Sequence, residues 1–189
     1  MKKIPTLFER IFENHKVVGI KAEAHEGIEW VFKGEGYATE KIDGACCAII
    51  DGKFYKRYDA KNGKKAPEGA IPCCDPDPIT GHHPHWVRVD PFNPADKWFV
   101  EAYKNTPLKG DADGTYEAVG VHFNGNPYHL TGDTLIPHGH LLIDPIRSFE
   151  GIKDYLKEHY IEGIVFWKNG EPQCKIKRSD FGFKWGDAE

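Results

Sequence analysis

Apolar positions along this chain recur mostly with a period of two, in short runs closed by Gly, Asn or Asp. Tyr37 to Lys41 and Cys46 to Ile50 predict strands. Asp51-Gly52 is a two-residue hairpin signal, and the chain returns through Lys53 to Tyr58. Gly114 to Val121 alternates and predicts a further strand, and Gly139 to Ile143 a short one. Ile161 to Trp167 and Gln173 to Lys177 read as a pair turned by Asn169-Gly170. Three stretches read as helical. Thr6-Leu7-Phe8-Glu9 has the form of a capping box, predicting a helix to about Asn14 that buries Leu7, Phe8, Ile11 and Phe12. Asn93-Pro94 starts a second, to about Lys104, burying Trp98, Phe99, Ala102 and Tyr103. Ser148 caps a third, with Phe149, Ile152, Leu156 and Tyr160 on one face. Val17 to Phe32 is mixed and is read as a strand pair turned at Glu26-Gly27. Between Ala60 and Pro91 the texture changes to Gly, Pro, Lys and Asp, read as a long surface loop of the same domain.

The chain has 189 residues, 40% hydrophobic and 29% charged, which suits one folded domain spanning 1–189 and argues against disorder. A net charge of -4 does not mark a nucleic-acid binder, but local basic clusters such as Lys61, Lys64 and Lys65 matter more than the total. No run approaches the ~20 apolar residues of a membrane span. The basic start, Met1-Lys2-Lys3, is followed by no apolar signal core. The five cysteines are odd in number and partly adjacent. They are read as reduced thiols, placing the protein in the cytoplasm or another reducing compartment. Cys73-Cys74 with His82, His83 and His85 lacks zinc-site spacing and is read as incidental.

The candidate chemistry starts at Lys41, flanked by Glu40 and Asp43 where a strand must turn. Alone, it reads as a surface ion pair beside an Asp43-Gly44 turn. Partial enclosure, or a nearby cation, would instead free its amine as a nucleophile. Lys175 and Lys177 are two apart, so both leave the same strand face. They repel unless they share an anion, or they belong to a solvated face. Glu162 opens an apolar strand, as a surface residue or a metal carboxylate. Glu117 sits among core-like residues, as the outward residue of an alternating strand or as an acceptor for a ribose hydroxyl.

The order of these features resembles the covalent nucleotidyltransferases: DNA ligases, RNA ligases and mRNA capping enzymes. The motifs run from Lys41-Ile42-Asp43-Gly44 through Lys56-Arg57 and Tyr116-Glu117-Ala118-Val119-Gly120 to Glu162-Gly163-Ile164-Val165-Phe166 and Lys175-Ile176-Lys177. Ile4 to Phe8, Pro76 to His82 and Lys177 to Gly182 further resemble small RNA ligase 1-like proteins. The resemblance implies an α+β adenylation domain of two mainly antiparallel sheets with flanking helices and a nucleotide pocket between them. It implies that Lys41 attacks ATP to form lysyl-AMP, that AMP passes to an RNA 5′-phosphate, and that a 3′-hydroxyl then displaces it. Lys175 and Lys177 would hold the α-phosphate and Glu117 the ribose. Arg57 would contact the nucleotide or the RNA end. Glu40 would offer its backbone to adenine, and Asp43 would shape the turn beneath it. Glu162 would hold Mg2+ or Mn2+, directly or through water. Lys61 to Lys65, Lys53, Arg178 and Lys184 would guide RNA phosphates.

The chain is read as carrying no OB-fold and no helical C-terminal domain, which many family members have. It is read as a monomer acting on RNA ends, away from membranes. Two alternatives are a capping-type guanylyltransferase, which the missing OB-fold disfavours, and a nucleotide- or RNA-binding pseudoenzyme.

Overall fold

The computed structural model describes residues 3–14, 16–61, 64–78, 80–108 and 112–186. Along the chain lie β1 (Phe8–Glu13), β2 (Lys16–Ala24), a 3-10 turn (Glu29–Lys33), β3 (Tyr37–Lys41), β4 (Ala45–Ile50) and β5 (Lys53–Asp59). There follow β6 (Ile71–Pro72), β7 (Pro84–Arg88), a 3-10 turn (Pro94–Asp96), α1 (Lys97–Asn105), β8 (Gly114–Val119) and β9 (Thr134–Pro137). The chain closes with β10 (Leu142–Ile143), α2 (Phe149–Glu158), β11 (Gly163–Lys168), β12 (Glu171–Lys177) and a 3-10 turn (Arg178–Phe181). The architecture is α+β, and every named strand pair is antiparallel. None of the described helices is long and apolar enough to cross a membrane.

The chain falls into two compact units. One contains Asp43–His138 and is built on a six-stranded sheet in the order β6-β7-β5-β4-β8-β9. Its core is Cys47, Ile49, Phe54, Tyr116, Ala118, Phe123 and Leu135, with α1 laid on it through Ala102, Phe99 and Tyr103. Asp51 and Gly52 take positive φ (49° and 66°), the geometry that the β4–β5 hairpin needs. Asn93 caps the turn before α1 by accepting from the Ala95 amide at 3.0 Å.

The other contains Ile4–Ile42 and the chain from Gly139 onward, built on a four-stranded sheet in the order β10-β3-β11-β12 and the β1–β2 ribbon. Here Ala38, Ile164, Phe166, Cys174 and Ile176 point to one face and pack with Leu7, Phe8, Ile152 and Leu156. The Ser148 hydroxyl caps α2 by accepting from the Gly151 amide at 3.0 Å.

The expected helix at 6–14 is a strand. The Lys175 amide donates to the Pro5 carbonyl at 3.0 Å, and the Leu7 amide to the Lys175 carbonyl at 2.7 Å. The free side of β12 thus captures the entering chain in extended form, and β1 continues from there to pair with β2. Phe8, Ile11 and Phe12 suit a strand at least as well as a helix, so the local capping signal loses to tertiary pairing. The 17–32 stretch is one strand and a 3-10 turn, because β2 finds its partner in β1. The 60–91 segment is only partly loop: β7 pairs with β5 from Tyr55↔Arg88 to Asp59↔Pro84. β9, in a stretch read as loop, pairs with β8. Tyr160 lies beyond α2 and is exposed.

Within β1, whose pairing shifts register between Phe8 and Arg10 and between Ile11 and Phe12, Phe8 is 1% exposed and Phe12 61% exposed. Phe8→Ala is expected to cost about 3–5 kcal/mol in urea denaturation, and Phe12→Ala no more than about 0.5 kcal/mol. Comparable large costs at both positions would restore the buried-helix reading.

Candidate active site

The four-stranded sheet presents a core face and a charged face. In register, Lys41 on β3 lies opposite Gly163 on β11, and Gly163 lies opposite Lys177 on β12. Thr39, Val165 and Lys175 form the next row of the same face. Glu162 stands just before β11 and is 4% exposed. Its Oε2 accepts from Lys41 Nζ at 2.6 Å and its Oε1 pairs with Lys177 Nζ at 2.7 Å. One buried carboxylate therefore links two ammonium groups on strands that are not neighbours. Gly163 permits this: a Cβ there would stand 2.2 Å from the Ile176 carbonyl oxygen.

Lys175 lies beside this group. Its pKa is pulled down to about 8, first by burial, then by Lys41, Lys177 and Arg10, with Glu162 opposing. The Lys177 end is anchored through Asp180, whose Oδ2 accepts from the Lys177 amide at 2.9 Å. Asp180 Oδ1 receives Arg10 Nε at 3.1 Å and Nη2 at 2.9 Å. Three lysines against one carboxylate leave an excess of positive charge, an arrangement that favours a phosphate anion.

The sequence-derived site residues divide between the units. Lys41, Glu162, Lys175 and Lys177 come together as described. Glu40 belongs to the same unit; its amide donates to the Leu141 carbonyl at 2.9 Å, and burial raises its carboxyl pKa while His159 opposes. Asp43, Arg57 and Glu117 belong to the six-stranded unit. Asp43 Oδ1 accepts from Asn124 Nδ2 at 2.9 Å, and its amide donates to the Tyr128 hydroxyl at 2.6 Å. Glu117 on β8 lies opposite Cys46 on β4 and opposite Ile136 on β9. Its Oε1 is 3.1 Å from His138 Nε2, and its Oε2 is buried with no hydrogen-bond partner among the described residues. Arg57 reaches the Cys46 thiol, whose pKa burial and the Glu117 charge push up to about 12.

Arg178, a candidate RNA guide by sequence, is engaged elsewhere. Its guanidinium donates to the carbonyls of His159 (3.0 Å), Leu156 and Lys184 (2.7 Å), closing the chain beyond α2. Lys53, Lys61, Lys64, Lys65 and Lys184 are exposed, and residues 62–63 lie outside the described set. Ile79 of the Pro76–His82 motif also lies outside it. Arg10, Asp180, Cys46 and His138 escape a reading of the sequence alone. Cys46 has a signal only in register, since it and Glu117 alternate outward on two adjoining strands; Asp180 falls within the Lys177 to Gly182 motif without a role assigned to it, and Arg10 and His138 have no signal.

Residues 96–189 match the family model described as RNA ligase 1, a stretch that holds Glu117, Glu162, Lys175 and Lys177. Across a longer span the chain is 27% identical to RNA ligase 1 of Pongo abelii, covering 78% of this chain and 67% of that protein. RNA ligase 1 of Danio rerio is 26% identical over 80% of this chain and 69% of the fish protein. RNA ligase 1 of Rattus norvegicus is 26% identical over 78% of this chain and 68% of the rat protein. The chain is thus similar to the RNA ligase 1 proteins over most of its length.

Lys175 also makes the site visible in stability. A lysine with a lowered folded pKa holds its proton less well folded than unfolded. Stability from this group therefore rises between pH 8 and its ordinary value of 10.5, and below 8 its charge costs the full penalty. Lys175→Met is expected to raise stability at pH 7 by about 1–3 kcal/mol, discounted for partial exposure. The gain over wild type should shrink as pH is raised from about 8 to about 10 in parallel urea titrations. A gain that is constant with pH would remove the assigned charge penalty.

Proposed function

We propose that the chain is the adenylation domain of an ATP-dependent RNA ligase of the nucleotidyltransferase kind, with Lys41 as the covalent nucleophile. The observation that carries this reading is the Lys41–Glu162–Lys177 group beside Lys175, in a chain similar to RNA ligase 1. Lys41 Nζ must lose a proton before it attacks, and Glu162 Oε2 is the acceptor within 2.6 Å. Nζ then forms a P–N bond to the α-phosphorus of ATP as the bond to the bridging oxygen breaks and pyrophosphate leaves. Lys175 and Lys177 stabilise the charge that grows on the α-phosphoryl oxygens. In the second step the RNA 5′-phosphate takes the AMP and frees Lys41. In the third a 3′-hydroxyl attacks that phosphate and AMP departs. Glu117 serves the ribose hydroxyls, Arg57 a phosphate of nucleotide or RNA, and Asp43 and Glu40 the backbone that frames Lys41. Glu40 would offer its backbone to adenine, with its amide donating to the Leu141 carbonyl.

Both Glu162 oxygens already accept from lysines. Each oxygen keeps a second lone pair, so Glu162 would fit a magnesium or manganese ion directly or through a bound water. Such an ion would supply charge neutralisation for the triphosphate. Cytoplasmic placement and action as a monomer on RNA ends complete the reading. The Glu162 arrangement is indifferent to the base, so guanylyl transfer is the second reading to be tested.

Incubation with α-labelled ATP and magnesium, followed by denaturing electrophoresis, is expected to label the wild-type chain and to leave Lys41→Ala unlabelled. Label from GTP alone would give the capping-type reading. No label from either nucleotide, with the chain folded by circular dichroism, would leave a nucleotide- or RNA-binding module. Lys177→Ala is expected to cut labelling by at least about 100-fold, in the range of a lost oxyanion donor. Joining of 5′-phosphate and 3′-hydroxyl RNA ends is then scored separately.

A further inference from the structure

We propose that Cys46, Glu117 and His138 form a binding site for a thiophilic divalent cation of the zinc class, on the sheet face that also carries Arg57. One ligand-type atom from each residue lies within 4.8 Å of the other two. Neighbouring ligands of a tetrahedral zinc ion stand roughly 3.3–3.8 Å apart, given bonds of about 2.0–2.3 Å. Glu117 Oε1 and His138 Nε2, at 3.1 Å, are already near that spacing. Cys46 needs only a modest side-chain adjustment. The backbones are fixed: Cys46 and Glu117 are cross-strand partners, and the His138 amide donates to the Thr115 carbonyl at 3.0 Å.

A second observation points to a ligand. Glu117 Oε2 is buried and has no hydrogen-bond partner among the described residues. A buried carboxylate oxygen left bare carries an uncompensated desolvation cost, which a cation removes. A ribose hydroxyl, as in the ligase reading, would also satisfy that oxygen. It would not use the thiol, and the thiol is therefore what separates the two.

The imidazole has a partner that can set its tautomer. His138 Nδ1 lies 2.9 Å from the Thr115 hydroxyl. Without a cation, Nε2–H donates to Glu117 and Nδ1 accepts from Thr115. With the cation, the proton sits on Nδ1, the Thr115 oxygen accepts it, and the Nε2 lone pair faces the ion. The Cys46 S–H bond breaks as the sulfur–metal bond forms, and one proton leaves to solvent. Thiolate and carboxylate together neutralise a divalent ion. A sulfur ligand and an imidazole select zinc-like ions over magnesium. Three protein ligands leave a fourth position open to water.

The proposal goes beyond the ligase reading but shares Glu117 with it. Its test needs no nucleotide, so the two stand or fall separately. The reduced, chelator-treated full chain is titrated anaerobically with Co2+. The expected result is a thiolate-to-cobalt charge-transfer band saturating at one ion per chain and displaced by Zn2+. Cys46→Ser and Glu117→Gln should each abolish that band, and the double variant Cys73→Ala, Cys74→Ala should retain it. Thr115→Val should weaken affinity by about 10–100-fold. Absence of the band in wild type would overturn the site. So would its persistence in Cys46→Ser, or its loss in the Cys73, Cys74 variant. If Cys46→Ser fails to fold, as read by circular dichroism, Glu117→Gln decides by the same criterion.

Discussion

The candidate active site depends on one buried carboxylate. Glu162 sits at the mouth of β11 with a lysine on each oxygen, one from β3 and one from β12. Each lysine satisfies one oxygen, so only the loss of both would leave this buried charge unpaired. Gly163 makes the close approach possible, and the Arg10–Asp180 pair holds the backbone of Lys177 from the other side. Lys175 sits beside two further ammonium groups and a carboxylate they already share, so its positive charge is held at the expense of stability.

Alternation along the strands is what places the charges. In the four-stranded sheet, the same two-residue period that buries Ile164, Phe166, Cys174 and Ile176 sends Lys175 and Lys177 to the opposite face. In the six-stranded sheet, Cys47 and Ala118 enter the core while Cys46 and Glu117 turn away from it. Each unit thus carries a packed face and a face with polar side chains fixed by the ladder. Rigid strands give such groups better definition than loops would. Arg178 shows the converse: a cation that looks available in the sequence is consumed by carbonyls at the end of α2.

Elements with strong local signals were legible. β3, β4, β5, β11 and β12 follow the alternation, and the Asp51-Gly52 and Asn169-Gly170 turns adopt the positive φ that their residues favour. α1 and α2 begin at the caps written in Asn93 and Ser148. The failures share one cause. At the entry to Phe8–Glu13, and at Pro84–Arg88 and Thr134–Pro137, a decisive partner lies outside the local window: β12, β5 and β8 respectively. Local propensity at those places was ambiguous or pointed the wrong way, and a ladder made elsewhere settled the matter.

By itself the sequence determined which side chains share a strand face, because a period of two is a local property. It thereby marked Lys175 with Lys177, and singled out Lys41, Glu117 and Glu162 as polar residues in apolar runs. Only the tertiary structure decided which groups meet. Lys41 pairs with Glu162 across 121 residues of chain, Glu117 meets Cys46 and His138, and Asp180 steadies Lys177. Those meetings depend on strand order and register. Order and register come from the summed packing of whole sheets, and no short window of sequence carries that sum.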